Sequence, residues 1–339
     1  MSGFGIDLGT ANTVVCHQRR GVVLDEPSVM VVREHIGGDR RPKPVLVGRE
    51  ARELIGRCPA GLTVVRPLRD GVIVDLEAAR AFMVGLMARL EAPAWQRVRP
   101  RAVIGAPAGA TALERRALLE VADEAGLRRT DLLPEPIAGA VGCGIDPLEA
   151  RAHMVVDVGG GTSEVTSFCF GGVLSHRSCR VAGDEMTLAL HRYLRAEHQL
   201  LVGELAADAL KCRLGSDGDL STVVHGVDVA TGRPRLLTIE ADEVLEALRP
   251  TADTIISTLA GSLDELPAQA VDDILADGVT VFGGCSLLSG FDKLLEATLG
   301  FPVRMARRPL GCVAEGAARC LANRDVVVAF QDTFLEAAA

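Results

Sequence analysis

Apolar positions along this chain recur at two periods, and the two alternate. Short runs of strand type fall at Phe4 to Leu8, Val14 to Gln18, Gly21 to Asp25 and Val29 to Arg33, each bounded by turn residues. Residues 35–44 are rich in glycine, proline and charge, which predicts an exposed loop. Val45 to Gly48 resumes the strand pattern, and Arg49 to Ile55 reads as a short helix. From Ala78 to Leu90 the spacing becomes helical, with Phe82, Leu86 and Leu90 on one face, and Arg101 to Ile104 is then a buried strand. Thr111 with Glu114 three residues on is a capping box, which starts a helix that runs to Ala125 and stops at Gly126.

The second half repeats this plan. Met154 to Val158 is a strand, and Val165 to Ser175 is a hairpin turning at Gly171-Gly172. Helices are expected over Met186 to Glu197 and Leu205 to Leu214, then a hairpin of Val223 to Val229 with Arg235 to Ile239. Glu243 to Leu263 reads as one long helix that Pro250 interrupts without ending. After the strand Val279 to Phe282, Gly283-Gly284 is expected to open a helix running to about Thr298. Alternating strands and helices predict α/β architecture, and the doubled plan predicts two domains, each with a smaller inserted piece at 27–70 and 184–242. A length of 339 residues suits two domains of that kind.

Composition narrows the class. A hydrophobic share of 48% with 24% charged residues belongs to a folded chain, not a disordered one. A net charge of -9 argues against broad binding to nucleic acid, and no such partner is expected. The nine cysteines form no CxxC pair, which favours free thiols in a reducing cytoplasm over a disulfide framework or zinc site. No run reaches the roughly 18 apolar residues of a spanning helix. The chain enters its first strand with no secretory signal, which again predicts a cytoplasmic protein.

Two loops carry candidate chemistry. Gly5-Ile6-Asp7-Leu8-Gly9-Thr10 and Val155-Val156-Asp157-Val158-Gly159-Gly160-Gly161-Thr162 each place an acid, glycine and a hydroxyl directly after an apolar strand. Glycines let backbone N–H groups approach phosphate oxygens, and the hydroxyls of Thr10, Thr13, Thr162 and Ser163 can add hydrogen bonds. Asp7 and Asp157 suit Mg²⁺, which prefers oxygen ligands beside phosphates. One such loop is equally well a tight turn, but two, half a chain apart, favour a phosphate clamp between domains. Neither loop has the GK[ST] ending of a Walker loop or the GxGxxG of a dinucleotide fold.

These motifs resemble those of the actin-like ATPase superfamily, and over nearly its whole length the chain is similar to the MreB family of bacterial actins. The resembling stretches are GIDLGTANT (5–13), VRPLRDGVIVD (65–75), VIGAPAGATALERR (103–116), PEPIAGAVGCG (134–144), MVVDVGGGTSEV (154–165) and VTVFGGCSLLSG (279–290), all in one order. The resemblance implies an actin-like fold of two domains, each a central mixed sheet flanked by helices, with the nucleotide in the cleft between them. It divides the chain into subdomain IA (1–26, 71–144 and 320–339), IB (27–70), IIA (145–183 and 243–319) and IIB (184–242). It implies ATP, with GTP as the alternative, bound with Mg²⁺ and hydrolysed. Glu135 matches the family's water-orienting glutamate, Thr162 the hydroxyl beside it, and Asp7 and Asp157 the acids that hold the metal through water. Gly9, Thr10, Ala11 and Asn12 in one loop and Gly159, Gly160 and Gly161 in the other match the phosphate contacts. Gly183, Asp208, Lys211, Gly283, Gly284 and Cys285 stand on the adenosine side. Three of these places depart from the family pattern: Cys285 replaces a third glycine, Ala182 precedes Gly183 where a glycine is usual, and Asp208 replaces a glutamate. Cys285 is either a reactive thiol or a small packed hydrophobe.

The resemblance further implies head-to-tail subunits in paired protofilaments, peripheral attachment to the inner face of the cytoplasmic membrane, and the cell-wall synthesis machinery as client. Ala94 and Trp95 occupy the place of the family's membrane loop, bracketed by Arg89, Arg97, Arg99 and Arg101, a composition that suits anionic headgroups. Trp95 folded back on its own domain or on a neighbouring subunit is the other reading. The length argues against a chaperone ATPase, and no base besides Glu135 offers itself for a sugar kinase. A nucleotide-binding scaffold with little or no hydrolysis is the runner-up.

Overall fold

The computed structural model describes residues 3–33, 42–90, 100–216 and 220–330. Two five-stranded sheets carry it. In the first, the antiparallel hairpin Gly3–Leu8 with Asn12–His17 is extended on one side by Gly21–Pro27 and on the other by the parallel strands Arg101–Ala106 and Arg129–Pro134. The second has the same order: His153–Val158 with Ser163–Cys169 as hairpin, Gly172–Cys179 beside it, and Val279–Phe282 and Val303–Met305 parallel on the far side. The repeat in the hydrophobic pattern is thus a repeat in topology. Two three-stranded sheets stand apart from these, one around Met30–Arg33 and one around Ser221–Asp228.

Each large sheet has its own core. Phe4, Ile6, Phe82, Leu86 and Ile104 bury one side of the first sheet, and Val156, Met186, Leu190, Val281 and Leu295 do so in the second. A third core lies between the halves, built from Val103, Ile137, Val155, Phe168, Phe282, Val313 and Phe330. Two helices run through it, Glu135–Cys143 and Cys312–Cys320. Their crossing is made of backbone, because a Cβ on Gly142 would lie 2.0 Å from the Cys312 carbonyl oxygen and one on Gly316 1.7 Å from that of Ala138. The helix Arg324–Phe330 docks inward with Val326, Val327 and Phe330 buried.

Local signals explain most elements. Thr111 and Glu114 form the expected capping box, with the Glu114 N–H donating to Thr111 Oγ1 at 3.2 Å and the Thr111 N–H to Glu114 Oε2 at 2.8 Å. The helix Ala241–Leu263 carries Pro250 inside it, as expected. The helix expected from Gly283 does not form as one element. Gly283-Gly284 opens only a 3₁₀ turn, Gly284–Leu287, and Gly290 at φ 76° separates it from the helix Phe291–Leu299. A left-handed residue cannot continue an α-helix.

His176 gives the fold a pH dependence. Its Nδ1 shares a 2.9 Å hydrogen bond with Thr166 Oγ1, its Nε2 is buried without a partner, and burial lowers its pKa to about 4. The folded chain therefore refuses a proton that the unfolded chain accepts below about pH 6.5. Stability is full above that value and is lost as pH falls toward 4. Between pH 7.5 and pH 5 this group should remove about 2 kcal/mol, read from urea midpoints, and His176→Gln should flatten that limb.

Candidate functional site

The two glycine loops are the turns of the two central hairpins, and they close alike. The Gly9 N–H donates to the Asn12 carbonyl at 3.1 Å and the Gly159 N–H to the Thr162 carbonyl at 2.9 Å. Thr10, Ala11, Gly160 and Gly161 are thereby left at the turn tips. The tips meet: a Cβ on Gly160 would lie 2.6 Å from Ala11 Cβ. The stretch 65–75, one of the six resembling motifs, ties them together. The Gly71 N–H donates to Thr10 Oγ1 at 2.8 Å, and the Asp70 backbone lies against Gly161, whose Cβ would come within 2.9 Å of it.

Between the halves lies a cleft of about 900 Å³. Every nucleotide or metal residue that the family resemblance implies lines it: Asp7, Gly9, Thr10, Ala11, Asn12, Glu135, Asp157, Gly159, Gly160, Gly161, Thr162, Gly183, Asp208, Lys211, Gly283, Gly284 and Cys285. Ala94 and Trp95 lie outside the described residues. Two hydroxyls expected at phosphates are engaged elsewhere. Thr13 Oγ1 bonds Ser28 Oγ at 2.9 Å, and Ser163 Oγ donates to the Val181 carbonyl at 2.7 Å, both out of solvent. Alternation along a strand turns their side chains away from the cleft.

One end of the cleft is acidic. Burial, then repulsion from Asp157 and Asp25, raises the Asp7 carboxyl to about 8. Burial raises Asp157 to about 7. Glu135 opens its helix with its side chain among protein atoms and its tip on the cleft wall. Burial and the charges of Asp7, Glu164 and Asp157 hold its carboxyl well above the usual range. Glu164, which the sequence did not single out, sits behind the wall at about 8 for the same reason, accepting from the Ala108 N–H at 3.3 Å. These four carboxyls, Glu164 buried and the other three half-buried, form a site that favours protons or a hard positive ion.

Another part of the cleft wall is crosslinked by paired charges. Lys211 Nζ donates to the Gly183 carbonyl and Thr187 Oγ1, both at 2.9 Å, and pairs with Asp208 Oδ1 at 2.9 Å. Arg52, from the short helix Arg49–Arg52, reaches across to Asp208 Oδ2 at 2.7 Å, and Arg66 pairs with Glu204 beside it. Burial pushes the Asp208 carboxyl up, but Lys211 and Arg52 outweigh it and leave it below its ordinary value. No sequence motif marks Arg52, and Arg66 stands in the 65–75 motif without an assigned role, because a cross-cleft pair depends on how the halves dock. Cys285 Sγ lies 3.3 Å from the Gly159 carbonyl, and burial pushes its thiol up to about 11, so it is a packed thiol rather than a reactive one. Among the described residues no helix is long and apolar enough to cross a membrane.

Comparison with known proteins gives this site a family. The model of the MreB/Mbl protein family matches residues 1–328. The cell shape-determining protein MreB of Escherichia coli (strain K12) is 38% identical over 326 residues, 95% of this chain and 93% of that protein. The cell shape-determining protein Mbl of Bacillus subtilis (strain 168) is 35% identical over 325 residues, 95% and 96% of the two chains. Among solved structures, MreB5 of Spiroplasma citri bound to AMPPNP superposes with a TM-score of 0.88 at 28% identity, covering 96% of this chain and 98% of the other. The MamK double helical filament, at 22% identity and a TM-score of 0.78, shares the fold. The two hairpin loops, the repeated sheets and the cleft between them are an actin-like fold, and the chain belongs to the MreB/Mbl family.

Proposed function

We propose that this chain binds and slowly hydrolyses ATP with Mg²⁺, and that this nucleotide cycle governs its assembly into membrane-associated filaments that support cell shape. The observation that carries the reading is the convergence of two glycine turns and three carboxyls, Asp7, Glu135 and Asp157, in one cleft. The donor set fits the ligand: oxygen-only acids for a hard cation, and bare turn tips whose close approach leaves no room for side chains. Among the described residues no cluster of three or more acids, histidines or cysteines is arranged as direct metal ligands, so Asp7 and Asp157 would act through water. Mg²⁺ supplies charge screening of the phosphates when bound. The amides of Thr10, Ala11, Gly160 and Gly161 orient the phosphate oxygens, Glu135 accepts a hydrogen bond from the attacking water, and the Thr162 hydroxyl holds that water's other side. Lys211 and Asp208 face the ribose and base, and GTP is the competing nucleotide.

Filament growth head to tail in paired protofilaments, the inner face of the cytoplasmic membrane as its support, and the cell-wall synthesis machinery as client belong to the same proposal. So does the division into 1–26, 71–144 and 320–339; 27–70; 145–183 and 243–319; and 184–242. Trp95→Ala is expected to leave pelleting of polymer intact and to lower co-sedimentation with anionic liposomes; equal liposome pelleting would return Trp95 to the protein interior. Arg52→Ala should speed release of a fluorescent ATP analogue, but by no more than about fivefold, because a half-exposed ion pair contributes up to about 1 kcal/mol.

The deciding experiment measures pelleting and phosphate release together in Mg-ATP, Mg-ADP and no nucleotide, with electron microscopy of the pellet. ATP-dependent filaments with slow phosphate release support the proposal. Tight ATP binding with neither polymer nor phosphate would favour a nucleotide-binding scaffold, the reading to which the already engaged Asp208 carboxylate lends weight.

A further inference from the structure

Cys143 ends the helix that Glu135 begins, and Cys312 begins the helix that crosses it. Their sulfurs lie 3.6 Å apart, although 169 positions separate them in sequence. Cys312 is buried and its Sγ also lies 3.1 Å from the Arg308 carbonyl, whereas Cys143 is half-buried and within reach of a small oxidant. We propose that Cys143 and Cys312 are a thiol modification site, oxidised to a disulfide that fastens the Glu135–Cys143 helix to the Cys312–Cys320 helix and so locks the cleft.

The geometry asks for little movement. A disulfide of about 2.05 Å needs the sulfurs to close by about 1.5 Å, within reach of side-chain rotation where the backbones already touch. Val313 lines the cleft beside Glu135, so the link joins two walls of the same site. Contact with Cys312 draws the Cys143 thiol below its ordinary value, while the same contact and burial push Cys312 up, which makes Cys143 the attacking sulfur. With hydrogen peroxide as oxidant, the Cys143 thiolate attacks one peroxide oxygen, the O–O bond breaks, and the departing hydroxide takes a proton to become water. Cys312 sulfur then attacks the resulting Cys143 sulfenic acid, forming the S–S bond, and the expelled hydroxide takes the Cys312 proton as a second water. Two thiols and one peroxide give one disulfide and two waters.

The crosslink stands by itself; its effect on nucleotide rests on the proposed function. Full-length reduced chain is treated with hydrogen peroxide, alkylated and digested with trypsin, which separates Cys143 in 130–151 from Cys312 in 308–319. The expected result is a sulfur-linked pair of these two peptides that dithiothreitol reverses, with ATP release slowed about tenfold in the linked protein. Cys143→Ser should abolish both changes and keep the release rate of the reduced chain. Recovery of the two cysteines only as separate alkylated or over-oxidised peptides overturns the site, and a link that leaves ATP release unchanged overturns the lock. Failure of the reduced chain to bind ATP counts against the proposed function alone, since the peptide map reads the link without nucleotide.

Discussion

Glu135→Ala is expected to lower phosphate release from bound ATP by about 100- to 10,000-fold, the range lost when a positioned acid–base group is removed. Nucleotide affinity should change by less than about threefold, because in the proposed binding mode the turn tips and Lys211, which lie on other elements, hold the nucleotide. The two effects separate if Glu135, as proposed, faces the attacking water and not the nucleotide. Its position is set by rigid parts: strand Arg129–Pro134 delivers it, Pro136 fixes the first helical turn, and Gly105 leaves only enough space for its stem, a Cβ there coming 3.1 Å from Glu135 Cγ. Glu135→Gln sharpens the test. It keeps the shape, loses the proton acceptor, and removes one ionisable carboxyl from the cluster with Asp7, Asp157 and Glu164. The nucleotide-free Gln variant should therefore melt above the parent while hydrolysing as poorly as the Ala variant. Single-turnover phosphate release and thermal melting read the two properties independently, and phosphate release unchanged in both variants would remove Glu135 from the mechanism.

The cleft was legible in the sequence because its chemistry is local. Each glycine turn sits between the two strands of one hairpin, so spacing alone placed Asp7 near Gly9 and Asp157 near Gly159. The capping box at Thr111 and the passage of the long helix through Pro250 were legible for the same reason. What stayed hidden depends on docking. Residues 312–320 read CVAEGAARC, with no large apolar stripe, because this helix packs backbone to backbone and needs small residues instead. The helix from Glu135 hides in the same way behind Ile137, Ala138, Gly139 and Ala140, where Phe282 fills the space a Gly139 side chain would take. Strand Arg129–Pro134 begins with Arg-Thr-Asp at a sheet edge and shows no alternation strong enough to mark it. Glu164 escaped notice since an acid inside SEVTSF looks like the polar face of a strand, and only the second sheet's docking on Ala108 buries it.

Gly316→Ala is expected to destabilise the chain by more than about 3 kcal/mol, the upper end of overpacking costs in a well-packed core. Helix propensity predicts the opposite, a gain of about 1 kcal/mol for alanine over glycine in a helix interior. Sterics decide the sign. A Cβ at 316 would lie 1.7 Å from the Ala138 carbonyl oxygen, 2.7 Å from the Gly142 nitrogen and 2.8 Å from the Ala138 carbonyl carbon. All three are backbone atoms of the opposing helix, so no side-chain rotation relieves the clash. The helices must separate by more than about 1 Å, and the core between the halves, with Ile137, Phe168, Phe282 and Phe330, opens with them. Gly172→Ala supplies the comparison. Its Cβ would meet only the Cys169 carbonyl at 3.7 Å, ordinary contact, and its φ is negative, so the change should cost less than about 1 kcal/mol. Urea unfolding of the two variants beside the parent measures the difference, and a Gly316→Ala variant as stable as Gly172→Ala would mean the two helices do not meet through backbone. If they do, the same contact that makes Gly316 irreplaceable couples Glu135 to the second half of the molecule, since any hinge motion between the sheets must pass through a crossing with no side chains to yield.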